Sequence, residues 1–416
     1  MSFFHQTQGV GCKVCNEIST DPGLNKLKRT TIIYDHANLS YMNPISRKKF
    51  ILSLTFLFLL LLLSIFYYRY KSQFNYDVIN LENRSGIHLI DGQPAIKEFY
   101  ATNRLIEDGN KTGELSPTLN YGISIVNIPR QYRIGGDFKK KIVQDIPLEE
   151  KKFFHELNQT IAKTESKLLV VWIHGYANSF EGTAAVLARG AYDLNTEATY
   201  LFFSWPSQNR LFAYVADEQM EKKSAVAFAN FLTELKREVP GARLVIIGHS
   251  LGTRLLCDAF DILYTKADWR DKDKEISDVI LIAPDVDQDD FDLHFKDQIL
   301  AMVKRLTVYV ASDDGALLIS NLKHGTKPLG LPTHFDDNTQ LDETQALLSL
   351  SEQGMDNLDI VDATYIIKPS FSHSYYRSRD IISDIYWLLN HNAPTDKRQL
   401  FRSKLRKKDN YWVIPP

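Results

Sequence analysis

A-R-L-V-I-I-G-H-S-L-G-T-R-L-L-C-D-A-F, Ala242 to Phe260, is the stretch whose reading decides the fold. Its opening run, Ala242–Ile247, reads as a short strand with apolar residues on both faces. From Thr253 to Tyr264 the leucines, alanine and phenylalanine recur at helical spacing. Between the two lies Gly248-His249-Ser250-Leu251-Gly252, a G-x-S-x-G. Glycines at its edges relieve the crowding of a sharp strand-to-helix turn. Such a turn lifts the Ser250 hydroxyl clear of the sheet and sets it at a helix N-terminus, where developing negative charge is favoured. A bare G-x-S-x-G is a weak signal; one bounded by a buried strand and an amphipathic helix is a strong one.

Outward from this point the chain alternates. Strand-like runs are Tyr121–Ile128, Lys167–Ile173, Thr199–Trp205, Ser277–Ala283, Leu306–Ala311 and Asp359–Ile367. Helical stretches are Leu148–Lys163, Phe180–Asp193, Asp217–Glu238, Phe291–Lys304, a short one from Ala316, and Tyr375–Leu389. This order predicts an α/β fold, a mostly parallel sheet with helices on both faces. In such sheets the working residues sit just past the carboxyl ends of the strands.

A serine hydroxyl needs a base, and the base needs an acid to orient it. His373 falls in the loop after the last strand, in S-F-S-H-S-Y-Y, and Ser312-Asp313-Asp314-Gly315 follows Leu306–Ala311, offering a carboxylate at the same edge. Ser, Asp, His is the chain order expected of a nucleophile elbow. An oxyanion hole would draw on the backbone N–H of Leu251 and on a loop after an earlier strand. V-W-I-H-G-Y supplies such a loop, with Tyr176 as the donor and Gly175 letting the backbone approach closely. His249 reads as a packing or hydrogen-bonding residue of the elbow, and Trp205 with Pro206 as pocket lining or core closure. Asp285 and Asp287 rank below the later pair as triad acids. The run Asp287, Asp289, Asp290, Asp292 reads as an acidic helix start, since no glycine-punctuated calcium loop accompanies it.

Taken together, G-H-S-L-G, the H-G-Y loop, A-P-D-V-D (Ala283–Asp287), D-G-A-L (Asp314–Leu317) and H-S-Y-Y (His373–Tyr376) resemble the α/β-hydrolase superfamily, most closely a bacterial esterase/lipase-like group of unestablished function. The resemblance covers about Tyr121 to Leu389. It implies a hydrolase fold with a serine nucleophile, and it favours Asp314 over Asp313 as the partner of His373. The expected activity is cleavage of an ester through a Ser250-His373-Asp314 triad, with no metal or organic cofactor. The acyl substrate is a small molecule or a lipid. A non-catalytic binding domain of the same fold, and an acyltransferase using the same triad, are the rival readings.

The rest of the chain sets the context. Lys+Arg 49 against Asp+Glu 51 gives a formal net charge of -2, which makes no case for a nucleic-acid binder. Three cysteines make no disulfide scaffold. Cys12 and Cys15 form a lone C-x-x-C that reads as a lipidation site or a chance pairing, since zinc would need a partner chain, whereas Cys257 falls on an apolar helical face. Phe50 to Phe66, extended by Tyr67 and Tyr68, carries no charge and approaches the roughly 20 residues that cross a bilayer. Arg47, Lys48, Lys49, Arg69 and Lys71 flank it. The basic residues before it favour a cytoplasmic N-terminus and an extracytoplasmic catalytic domain. The expected layout is an N-terminal tail (1–49), one transmembrane helix (50–68), a tether and lead-in (69–114), the hydrolase domain (115–392) and a basic C-terminal tail (393–416). Residues 321–358 read as either a lid or a surface loop.

Overall fold

The computed structural model describes residues 50, 53–58, 60–62, 64–65, 87–90, 93–136, 142–208, 214–270, 274–331, 357–366, 373–402 and 411–415. The chain divides into two units, Met1–Leu63 and Ser64–Pro416. In the first, the described residues are helical, with Phe56, Leu57 and Phe58 exposed. Among the described residues no helix is long and apolar enough to cross a membrane. The rest of the 50–68 segment, the Cys12–Cys15 pair and most of the 321–358 insertion (332–356) lie outside the described residues.

The second unit is built on one twelve-stranded sheet. Its strands are β1 (Ile87–Ile90), β2 (Gln93–Glu107), β3 (Asn110–Asn127), β4 (Ile142–Leu148), β5 (Leu168–Ile173), β6 (Thr199–Ser204), β7 (Arg243–His249), β8 (Ile276–Ile282), β9 (Val303–Val310), β10 (Leu358–Asp362), β11 (Phe401–Arg402) and β12 (Tyr411–Val413). Across the sheet they run β11-β12-β10-β9-β8-β7-β5-β6-β2-β3-β4, with β1 beside β2. From β12 to β2 all neighbours are parallel; the hairpins β2–β3 and β3–β4, and the β1–β2 and β11–β12 pairs, are antiparallel.

Side-chain alternation divides the core in two. Leu169, Val171 and Ile173 of β5 join Leu244 and Ile246 of β7 on one face; Leu168, Val170 and Trp172 join Val245 and Ile247 on the other. The first face is covered by α1 (Glu150–Ala162), α3 (Tyr214–Glu238), α4 (Leu251–Tyr264) and α5 (Lys296–Met302), the second by α2 (Phe180–Leu194), α6 (Gly315–His324) and α7 (Arg379–His391). Both faces of the central strands are therefore dry, which is why they read as continuous apolar runs. Cys257 is fully buried on α4, its thiol pushed well up by burial. The chain leaves β5 towards β6 and leaves β7, on the other side of β5, towards β8, and the carboxyl ends of β5 and β7 at this reversal are where a ligand would fit.

The sheet extends beyond the bounds read from the sequence. The 69–114 lead-in contains β2, which sits inside the sheet between β6 and β3. Its polar residues Glu98, Asn103 and Arg104 are buried, which hid the strand from a hydrophobicity reading. The 393–416 stretch, read from the sequence as a basic tail, contains β12, parallel to β10, and the buried Arg398. Arg398 is 1% exposed and paired to Asp384 at 2.7 Å and Asp359 at 3.3 Å. β10, read from the sequence as Asp359–Ile367, stops at Asp362 and gives way to a 3-10 turn at Thr364–Ile366.

Candidate active site

Ser250 stands between the end of β7 and the first residue of α4, with φ 54° and ψ -130°. A side-chain-bearing residue in that region costs of order 1–3 kcal/mol and needs its surroundings to hold it. The Ser250 N–H donates to the Ile282 carbonyl at 3.0 Å, and the Ser250 carbonyl accepts from the Thr253 N–H at 2.8 Å and hydroxyl at 2.6 Å. Leu251 begins α4, so its N–H is among the amides that have no partner within the helix. Space is tightest on the β5 side. A Cβ on Gly252 would come 2.4 Å from the His174 carbonyl oxygen, and one on Gly175 would come 2.7 Å from Ser250 Cβ. Gly248 is looser, with nearest contacts of 3.3 Å. The steric demand at this elbow thus falls on Gly252 and on the facing loop.

His373 precedes the 3-10 turn Tyr375–Arg377 that leads into α7. Its Nδ1 lies 2.8 Å from each carboxylate oxygen of Asp314. A carboxylate only accepts, so Nδ1 carries the hydrogen and the neutral ring keeps its lone pair on Nε2. Asp314 is fully buried and caps α6, its Oδ1 also accepting from the N–H groups of Ala316 and Leu317 at 3.1 and 3.2 Å. Of the two adjacent acids, Asp314 is the one with this contact to His373. Tyr375 steadies the segment by donating its hydroxyl to the Tyr309 carbonyl at 2.9 Å.

His249 joins the elbow to the histidine loop. Its Nε2 lies 3.1 Å from the His373 carbonyl oxygen, and its ring centroid is 4.8 Å from that of His373. Trp172 and Tyr376 pack against the same ring. Burial, helped by the neighbouring His373, pushes the His249 imidazole down to about 3, so it is neutral near pH 7 and donates through Nε2.

Across the crevice, Gly175–Ser179 forms the loop after β5. His174 is buried and stacked on Trp205, with ring centroids 4.9 Å apart. Its Nδ1 lies 2.8 Å from the Gly175 carbonyl oxygen; its Nε2 accepts from the Trp205 N–H at 3.1 Å; and the Trp205 indole N–H donates to the His174 carbonyl at 2.7 Å. Burial, and then the nearby Arg104 charge, push His174 down to about 3. Trp205 therefore closes the core and also ties β6 to this loop. Tyr176 follows Gly175, and its ring packs against Tyr214 at 5.2 Å.

The other acids of this edge are engaged elsewhere. Asp285 accepts from the Tyr214 hydroxyl at 2.6 Å and the Ser320 hydroxyl at 2.8 Å. Asp287 caps the turn that follows it through the Asp290 N–H, and Asp292 pairs with Lys296 at 3.6 Å. Among the described residues no group of His, Cys, Asp or Glu could hold a metal ion. Sequence reasoning missed Arg104 and Asp217, which reach the 175–179 loop. The available signal was a lone arginine between the apolar residues of F-Y-A-T-N-R-L-I (Phe99–Ile106), and an acid opening a long helix.

Comparison with known proteins bears on the fold. A family model described as an alpha/beta hydrolase of unknown function (DUF900) matches residues 149–385, more than half of the chain. An uncharacterized protein of Nostoc sp. is 25% identical over a stretch covering 26% of this chain and 35% of its own length, so the chain spans about a third of that curated relative. Among solved structures, the rice cell wall degrading esterase LipA from Xanthomonas oryzae is 10% identical, with 75% of this chain and 93% of that one covered and a TM-score of 0.36. A cold-adapted esterase from an Arctic intertidal metagenomic library is 12% identical, with 71% and 94% covered and a TM-score of 0.34.

Proposed function

This chain belongs to the family of alpha/beta hydrolases of unknown function (DUF900), and from that premise we propose that it is a serine hydrolase that cleaves a carboxylic ester. The observation that carries the reading is the strained Ser250 at the mouth of α4, with the Asp314-bound His373 hydrogen-bonded to its neighbour His249. In the scheme, Ser250 Oγ attacks the acyl carbon while His373 Nε2 takes the hydroxyl proton. Asp314 holds the imidazole with its hydrogen on Nδ1 and stabilises the imidazolium. The N–H groups of Leu251 and Tyr176 receive the oxyanion. His373 then returns the proton to the departing alkoxide, leaving an acyl-enzyme, and a water deprotonated by the same imidazole releases the acid. The scheme calls on no metal or organic cofactor.

The test uses a fluorophosphonate probe and p-nitrophenyl butyrate on the full chain. Wild type should be labelled and turn over; Ser250→Ala should lose labelling and lower kcat by about 10⁶-fold, as serine loss does in comparable triads. Hydrolysis by Ser250→Ala at the wild-type rate would refute the mechanism. The same proposal anchors the enzyme to a bilayer through residues 50–68, supported by their uncharged composition and flanking cations. External protease should then remove the C-terminal part from intact cells or spheroplasts, and protection would reverse the orientation.

A further inference from the structure

We propose that Arg104 of β2, acting with Asp217 of α3, is a positioning residue for the loop Gly175–Ser179, holding the Tyr176 N–H where an acyl oxygen would acquire charge. The inference rests on the serine hydrolase reading and adds to it two residues from elements on either side of that loop, one of them outside the matched 149–385 region.

Arg104 is 2% exposed, and its guanidinium donates in four directions. Nε reaches the Ser204 hydroxyl at 2.8 Å, Nη1 the carbonyls of Thr112 at 3.1 Å and Ser207 at 3.2 Å, and Nη2 the Asn178 carbonyl at 2.8 Å. Those acceptors belong to the β2–β3 hairpin, the end of β6 and the loop after β5. One rigid planar fork therefore fixes three separate chain segments against each other, which a lysine's single ammonium would not do. All four acceptors are neutral. Burial lowers the guanidinium only to about 10, so it is charged near pH 7.

The loop needs this support because Ala177 sits at φ 54°, a left-handed conformation that a Cβ disfavours. Its peptide groups are clamped on both sides. The Ala177 N–H donates to Asp217 Oδ2 at 3.3 Å, and the Asn178 N–H to the Ser207 hydroxyl at 3.2 Å, which in turn donates to Asp217. The Asn178 side-chain amide returns to the Tyr176 carbonyl at 3.0 Å, and Arg104 takes the Asn178 carbonyl. Asp217 is itself fully buried and also accepts from the Gln208 N–H at 2.8 Å. The two residues after the candidate donor are thus held by buried charges, Ala177 by the Asp217 carboxylate and Asn178 by the Arg104 guanidinium. An oxyanion donor acts through being fixed before the reaction, so the clamp has a direct kinetic consequence.

The experiment compares the full-length wild type with Arg104→Met, Arg104→Lys and Asp217→Asn by two measurements. Hydrogen exchange followed by mass spectrometry on peptides spanning 174–179 should be at least tenfold faster in Arg104→Met and Asp217→Asn, while peptides from β7 and β8 exchange as in wild type. With p-nitrophenyl butyrate, kcat should fall on the order of 10²-fold with KM within about threefold, the size of losing one oxyanion donor. Arg104→Lys should fall between the two. Unchanged exchange at 174–179 in a folded Arg104→Met protein overturns the proposal. So does exchange that rises equally throughout the sheet, which would assign Arg104 a purely global structural role. If Arg104→Met does not fold, Arg104→Lys and Asp217→Asn decide by the same criteria. The exchange arm stands apart from turnover: a wild type that no fluorophosphonate labels would sink the hydrolase reading, while the loop clamp would still be read directly.

Discussion

Replacing Arg398 with methionine should destabilise the protein by about 3–5 kcal/mol at pH 7, although composition alone puts this residue in a basic tail. Its guanidinium makes a two-point contact with Asp384, Nε to Oδ1 at 2.8 Å and Nη2 to Oδ2 at 2.7 Å, and a third to Asp359 at 3.3 Å. Arg398, Asp384 and Asp359 are 1%, 1% and 6% exposed, so solvent gives the two carboxylates little relief once the cation is gone. That is the situation in which breaking a buried pair is far more harmful than removing both halves. Asp384 would keep the Tyr309 hydroxyl at 2.5 Å; Asp359 would lose the cation that opposes its desolvation. Burial already holds the Asp359 carboxyl up at about 6 with Arg398 present. In the variant it would take a proton at still higher pH in the folded state. A raised carboxyl contributes stability at low pH that is lost as pH rises, so the deficit of Arg398→Met should be smaller at pH 5.5 than at pH 7.5. Urea unfolding at those two pH values measures it. Adding Asp384→Asn, which keeps an acceptor for Tyr309 without the charge, should restore at least half of the loss. A deficit below about 1 kcal/mol at pH 7.5, or a double variant no more stable than the single, would refute the argument.

Two further outcomes follow from local geometry. Gly252→Ala would press a Cβ to 2.4 Å from a backbone oxygen and should cost about 1–3 kcal/mol along with activity, whereas Gly190→Ala on α2, where nothing lies within 4 Å, should stabilise by about 0.5–1 kcal/mol. Paired thermal melts would show it, and equal shifts in the two variants would contradict the packing account. His174 is held neutral with a folded value of about 3 against 6.5 when free, so its contribution to stability is complete above pH 6.5 and lost as pH falls toward 3. Each such histidine contributes about 1.4 kcal/mol per pH unit in that window, so the stability gap between wild type and His174→Gln should narrow by that amount per unit below pH 6.5. A gap that stays constant from pH 7 to 4.5 would show that His174 is not buried as described.

The elements around Ser250 could be read from the chain because each is decided locally. A strand dry on both faces has to be an unbroken apolar run, and a turn that folds a helix back onto it needs glycine. Gly248-His249-Ser250-Leu251-Gly252 therefore declares strand, turn and helix within a dozen residues. The positions of His373 and of the Asp313-Asp314 pair were legible for the same reason, each following a recognisable strand. Strand positions alone left open which acid meets the imidazole, a choice that only the family resemblance tilted towards Asp314, and the contact of Asp314 with His373 depends on how α6 is capped. β2 and β12 were hidden for a different reason. Arg104, Glu98 and Arg398 look like surface residues until their partners, which are distant in the chain, are brought to them. Ile360 meets Tyr411, and Arg104 meets Asn178, only after the sheet has assembled. Local sequence determined where the candidate nucleophile, base and acid stand, because backbone strain and apolar periodicity act over a few residues. Tertiary structure alone decided what braces them, because a buried charge is tolerable only where remote groups satisfy it.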